Sequence, residues 1–229
     1  MPPAHTSRDF ETELRELRAQ SLAMGARCER IVRVAIDAFW SGTPELVTQV
    51  ESIDAQIDRD EIAIHALALR ILAVRQPVAD DLRFVAAALR LITDLERVGD
   101  EAVNISERAS GKESEVLVLT RPALEAMGGE TQEMLHAALQ AFVERDAESA
   151  ALVLARDDVV DQQCSSVMTS VTEYLSHHPA EVHGGLRVIR VAKYLERIAD
   201  HATNVAEEAI FMVRGDDVRH GCLEPPRSR

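Results

Sequence analysis

The chain has 229 residues, of which 46% are hydrophobic and only 3% aromatic, a composition typical of a helix bundle with a sizeable core. Its formal net charge of −14 argues against nucleic acid as a partner and against direct binding to anionic lipid. The three cysteines, Cys28, Cys164 and Cys222, are odd in number and far apart, which indicates reduced thiols rather than disulfides or a zinc knuckle.

The hydrophobic pattern predicts an all-α protein of six helices. Proline and glycine mark the breaks between them, with Thr43 as N-cap and Pro44 at the start of the second helix. The predicted helices span residues 9–40, 44–75, 80–109, 121–144, 147–175 and, after the break at 177–179, onward to 213. Residues 111–120 are predicted to be a linker and residues 216–229 a disordered tail.

A duplication relates the two halves. The ten residues from Leu95 to Asn104, LERVGDEAVN, return one hundred positions later as LERIADHATN from Leu195 to Asn204. Earlier helices match at an offset of 103 residues, so the second half has the shorter hairpin connection. The sequence therefore predicts two tandem three-helix bundles, at residues 1–112 and 113–215.

Acidic residues recur at the same places in both copies. Each pair is spaced i, i+4, so its members share a helix face. Folding the second helix back on the third about Pro77 brings Asp58 level with Glu96 and Asp54 level with Asp100. The fold about residues 178–179 pairs the second set in the same way. The predicted acids are Asp54, Asp58, Glu96 and Asp100 in the first half and Asp157, Asp161, Glu196 and Asp200 in the second.

Clustered carboxylates repel one another unless a cation offsets their charge. Arg97 and Arg197 could supply part of that charge, and a metal ion could supply more. Oxygen ligands favour magnesium, manganese, calcium or iron over zinc. The alternative is a solvated helix face with ordinary salt bridges, in which no metal binds.

The histidines give weaker signals. Glu133 and His136 have the Glu-x-x-His spacing of ferritin-like di-iron sites, but the motif occurs only once. His201 beside Asp200 could add a nitrogen ligand, although a solvated histidine is the simpler interpretation. No nucleotide-binding loop or nucleophile motif occurs, so the sequence does not indicate an enzyme. The first residues lack an apolar stretch, and no run is long enough to span a membrane, which predicts a cytoplasmic protein.

With its two three-helix repeats, each carrying Leu-Glu-Arg-(Ile/Val)-x-Asp-x-x-x-Asn on its last helix, the chain resembles the PhoU family over residues 8–215. The resemblance implies an accessory regulator of phosphate-specific transport without catalytic activity. It implies contact with the ATPase subunit of the phosphate ABC transporter and with a phosphate sensor histidine kinase, and repression of the phosphate-starvation response when phosphate is plentiful. A homodimer is expected, with no nucleic acid partner and with membrane contact only through partners.

The resemblance also implies cation sites, since members of the family can carry iron, zinc or other cations on acidic motifs. It assigns Glu96, Asp100, Glu196 and Asp200 as first ligands, completed by the four acids of the preceding helices. Asn104 and Asn204 would act as ligands or as donors behind them. Two other functions remain open: a ferritin-like carboxylate metalloprotein and a metal-free helical scaffold.

Overall fold

A computed structural model describes residues 4–109 and 114–218, with side chains from residue 8 onward. Helices occupy almost all of this length, and no strand is found in it. The helices are α1 (Ala4–Ser41), α2 (Pro44–Arg75), α3 (Ala79–Ser106), α4 (Glu115–Glu144), α5 (Ala147–Leu154), α6 (Asp157–His177) and α7 (Val182–Arg214), with a 3₁₀ turn at Pro179–Glu181. The all-α prediction is confirmed.

Three long helices form each half. Helices α1, α2 and α3 pack on one another, and α4, α6 and α7 repeat the arrangement with α5 added against α4 and α7. Each bundle is closed by apolar residues at helical spacing, such as Ile57, Leu91 and Leu95 in the first and Val167, Val191 and Leu195 in the second. Extensive packing of α3 on α7, with a smaller contact of α1 on α4, joins the two bundles through a continuous core.

The predicted fifth helix is divided in the structure, and that part of the prediction was wrong. Ala155 and Arg156 form a turn between α5 and α6. The Arg156 guanidinium donates to Glu130 at 2.6 Å and to Glu133 at 2.8 Å, both on α4. These bonds hold the turn against the bundle, an effect of tertiary structure that local sequence does not reveal.

The predicted linker is shorter than expected, because α4 begins at Glu115 and runs through Pro122. The predicted helix began at residue 121, whereas burial of Val116, Leu117 and Thr120 holds the preceding turns in helical form despite the missing N–H of Pro122. Residues 111–113, the rest of that linker, lie outside the described residues, as does most of the predicted disordered tail, 219–229.

Candidate carboxylate site

The α2–α3 hairpin brings the four predicted acids of the first half together. Burial, followed by repulsion from Asp58 and Asp100, raises the pKa of Asp54 to about 6. Burial and the charge of Asp100 also raise the pKa of Glu96, while Arg97 opposes the rise. The expected hairpin register is therefore present, and the carboxylates face one another closely enough to interact.

Two local features shape this first cluster. A Cβ atom at Gly99 would lie 2.9 Å from Asp54 Oδ1, so the absence of a side chain there allows Asp54 to approach α3. Arg97 donates to Asp100 at 3.1 Å and lies 3.4 Å from Glu96. With its side chain 57% exposed, this arginine offsets only part of the charge on four acids.

The α6–α7 hairpin repeats the arrangement. Burial is the main cause of the raised pKa of Asp161 and of Asp200. The charges of Asp157 and Glu196 raise both pKa values further. All four predicted acids of the second half therefore interact. Both clusters carry negative charge that the protein has drawn partly out of water.

The second cluster differs from the first in its neighbours. Cys164 Sγ lies 3.6 Å from Glu196 Oε2, and burial raises the pKa of this thiol to about 11. Lys193 forms an ion pair with Glu196, and Thr203 Oγ1 donates to Asp157 Oδ1 at 3.2 Å. At the position of Cys164 the first half has Glu61, whose charge acts on Glu96. The first cluster is therefore the more acidic of the two.

Asn104 and Asn204, also predicted to belong to the sites, make their hydrogen bonds elsewhere. The Asn104 amide donates to Glu101 at 3.3 Å, and the Asn204 amide donates to Asp94 at 2.8 Å. The expected role of Arg197 also changes, since it pairs with Glu101 of α3 rather than with the acids of its own bundle. These three side chains were expected beside the acids. Their actual directions depend on how each helix is rotated in the bundle, and the i, i+4 pattern does not show that rotation.

Asn204 and Arg197 belong to a polar seam between α3 and α7 that sequence reasoning missed. Asp94 is its centre, because it accepts from Asn204 and lies 2.9 Å from His201 Nδ1. His201 is thus a half-buried interface residue, neither solvated nor aimed only at Asp200. Asp94 is not repeated in the second half, where Tyr194 takes its place, so the duplication contained no signal for it.

The single Glu-x-x-His motif does not form a di-iron centre. His136 pairs with Glu29 of α1 at 2.7 Å and is 66% exposed, whereas Glu133 binds Arg156. A ferritin-like site needs both side chains to project inward with partners from facing helices. The ferritin-like alternative therefore lacks its ligand set at this motif.

The two carboxylate clusters suit a cation by chemistry and by charge, since hard cations take several carboxylate oxygens. Within residues 8–109 and 114–218, however, no three His, Cys, Asp or Glu side chains are grouped so that they could hold a metal ion as they stand. The carboxylates would therefore have to turn toward a common point in order to bind one.

Replacing Asp54 by Asn is expected to make the protein more stable at neutral pH in the presence of a chelator. Because its pKa is raised in the folded protein, protonated Asp54 contributes fully to the free energy of unfolding below about pH 4. That contribution is lost as the pH rises through about 6, where Asp54 ionises. The variant lacks this loss, so above pH 7 it should gain on the order of 1 kcal/mol after solvent screening is allowed for. Urea unfolding from pH 4 to 8 measures the difference, with Glu51→Gln on the same helix as control. Parallel curves for Asp54→Asn and wild type would contradict the expectation.

The geometry thus defines a class of protein: a tandem pair of helical bundles, each with an acidic hairpin. A family model described as the PhoU domain matches residues 22–109 and again residues 124–209. The chain belongs to the PhoU family, and its two repeats correspond to two copies of that domain.

Relatives match over nearly the whole chain. A protein named phosphate-specific transport system accessory protein PhoU homolog, from Pseudomonas aeruginosa, is 38% identical, with 94% of this chain and 90% of the relative covered. The accessory protein PhoU of Escherichia coli K12 is 33% identical, with 94% and 90% covered.

Solved structures of two PhoU proteins have a fold similar to that of this chain. The crystal structure of PhoU from Pseudomonas aeruginosa superposes with a TM-score of 0.84 at 36% identity, covering 90% of this chain and all of that one. The phosphate transport system regulatory protein PhoU from Streptococcus pneumoniae gives 0.82 at 26% identity, covering 91% and 99%. Among the residues that the structure describes, no helix combines the length and apolar character needed to cross a bilayer.

Proposed function

We propose that this protein is a cytoplasmic regulator of phosphate uptake and signalling that acts by protein contact. It would repress the phosphate-starvation response through a phosphate sensor histidine kinase and modulate transport through the ATPase subunit of the phosphate ABC transporter. The observation that carries the proposal is the acidic hairpin, present in both bundles of a chain that matches phosphate transport accessory proteins along almost its full length.

The form of the molecule supports contact rather than catalysis. The eight acids lie on partly or fully exposed faces of the hairpins, outside the apolar core of the helices. Charged groups on a surface steer the encounter of two proteins and make their contact specific. We further propose that the protein forms a homodimer, which sedimentation of the purified protein would test.

The acidic hairpins have a proposed role of their own as cation sites. Asp54, Asp58, Glu96 and Asp100 would hold one ion, and Asp157, Asp161, Glu196 and Asp200 another, with iron, zinc, magnesium or manganese as candidate metals. A bound ion would supply the positive charge that Arg97 and Lys193 supply only in part. It would thereby fix each hairpin and could bridge to an acidic group of a partner.

Deleting the gene is expected to raise expression of phosphate-starvation genes in cells grown with abundant phosphate, because the repressing contact is lost. A reporter fused to a starvation-induced promoter measures the effect, and the wild-type gene supplied in trans should restore repression. Unchanged repression in the deletion strain, with no second copy of the gene present, would refute the regulatory role.

A further inference from the structure

The outer face of α2 carries an apolar stripe that no helix of this chain covers within the described residues. Ile62, Ala66, Leu69 and Ala73 follow the spacing i, i+4, i+7, i+11, so they lie in one line along the helix. All four are exposed, Ile62 by 69% and Leu69 by 47%. We call these four residues the α2 stripe.

The stripe is additional to the core face of α2. Ile57, Ile64 and Ile71 on the opposite side of the helix are completely buried in the bundle. A surface helix normally has one apolar face and one polar face. Helix α2 therefore has two apolar faces, and only one of them is used inside this chain.

The duplicated half has a polar face at the same positions. At the equivalent positions α6 has Ser165, Thr169, Thr172 and Ser176, all of them exposed. Thr169 and Thr172 direct their hydroxyls to the carbonyls of Ser165 and Met168 on the same helix. Since the two hairpins share their core pattern and acids, a hydroxyl face is compatible with the fold, and packing does not explain the apolar residues of α2.

The charges beside the stripe indicate what kind of partner fits. On the flank toward α3, Asp58 and Glu61 act on Glu96. On the flank toward α1, Arg70 is 57% exposed and lies 3.4 Å from Glu13. The stripe is therefore apolar in the middle, acidic along one edge and basic at the other.

The dimensions favour a foreign helix over a second copy of this chain. The stripe covers twelve residues, which extend only about 18 Å along the helix. A stable dimer buries about 800 Å² on each partner, which is more surface than a strip of this length provides. The small side chains of Ala66 and Ala73 alternate with the large ones and let a partner helix approach closely, as in ridge-into-groove packing.

We infer that the α2 stripe docks an amphipathic helix of another protein, whose apolar seam lies on Ile62 and Leu69 and whose Lys or Arg residues face Glu61 at the acidic edge. The contact is small and partly electrostatic, which suits an interaction that must form and break. It rests on the proposed function only for the identity of the protein that supplies the helix.

A synthetic peptide tests the surface directly. The probe is a fluorescein-labelled helical peptide of about 18 residues, which make about five turns. It has leucine along one face, lysine on one flank and glutamate on the other. Fluorescence anisotropy should show saturable binding to the full-length wild-type protein. Ile62→Ser/Leu69→Thr, which installs the residues of α6, should weaken binding by about tenfold or more. Hydrogen exchange should show peptide-dependent protection at residues 58–73 and not at residues 161–176.

The controls separate the surface from general effects. Because both positions are exposed, the variant should keep the wild-type circular dichroism and thermal midpoint. Ser165→Ala/Thr172→Ser on α6 should bind the peptide like wild type, and a peptide with its lysines changed to glutamate should bind about tenfold more weakly.

Three results would overturn the inference. They are equal peptide affinity for wild type and Ile62→Ser/Leu69→Thr, equal affinity for the lysine and glutamate peptides, and a wild-type dimer that this variant converts to monomer. The last would assign the face to a second copy of the chain. None depends on the phenotype of the gene deletion, so failure here is distinguishable from failure of the proposed function.

Discussion

Adding Mg²⁺, Mn²⁺ or Zn²⁺ to chelator-treated protein is expected to raise its free energy of unfolding. Within each hairpin the carboxylates repel one another, and a cation bound between them would offset that repulsion. An ion present at one hundred times its dissociation constant stabilises the folded state by about 2.7 kcal/mol for each site. Urea unfolding at pH 7 with each ion in turn measures the gain, and calorimetric titration gives the number of ions bound.

Paired variants assign the gain to the two hairpins. Asp54→Asn/Asp58→Asn should remove the contribution of the first cluster, and Asp157→Asn/Asp161→Asn that of the second. Glu11→Gln/Glu16→Gln changes two exposed acids of α1 and should leave the gain intact. If an ion stabilises the wild type no more than it stabilises a variant that carries all four of these Asp→Asn changes, the metal-free scaffold is the better description.

Truncating Leu95 or Leu195 to alanine is expected to destabilise the protein by about 2–5 kcal/mol, the range found when a buried leucine leaves a cavity. Both side chains are almost completely buried, and each precedes the first acid of its repeated motif. Cys28 Sγ donates to the Leu95 carbonyl at 3.3 Å, and Thr131 Oγ1 donates to the Leu195 carbonyl at 3.4 Å. The two positions are therefore equivalent in packing and in hydrogen bonding.

Thermal and urea unfolding of these variants also tests whether the bundles unfold together. Packing of α3 on α7 predicts one transition that shifts as a whole in either variant. Leu82→Ala and Leu186→Ala, at exposed positions of the same two helices, should change stability by about 0.5 kcal/mol or less. Two separate transitions, of which only one shifts, would show that the bundles are independent.

Much of the hairpin geometry could be predicted from the sequence, because two constraints act together. The i, i+4 spacing places Asp54 with Asp58 and Glu96 with Asp100, and the position of Pro77 sets which residues lie opposite. The repulsion of Asp54 by Asp58 and Asp100 shows that this reasoning holds in three dimensions. A role in binding a cation stays a prediction.

The features that were missed depend on how whole helices are rotated and stacked. The direction of Asn204 and Arg197 toward α3 follows from the rotation of α7, which no periodic pattern reports. The turn at Ala155 and Arg156 depends on Glu130 and Glu133 of another helix. Three neighbours of the second cluster were also missed, namely Lys193, Cys164 and Thr203. The first repeat has different residues at these positions, so the residues that the two repeats share gave no signal for them.

The Asp94 seam has a consequence for how the two repeats choose each other. Asp94 meets His201 and Asn204, whereas the first repeat has Glu101 and Asn104 at the corresponding positions. If the first repeats of two molecules paired in this geometry, Asp94 would face Glu101, and two carboxylates would replace a carboxylate and a histidine. The seam therefore discriminates between self-pairing and pairing of unlike repeats. It favours association of a first repeat with a second repeat, and it disfavours an assembly in which two first repeats pack on each other in this way.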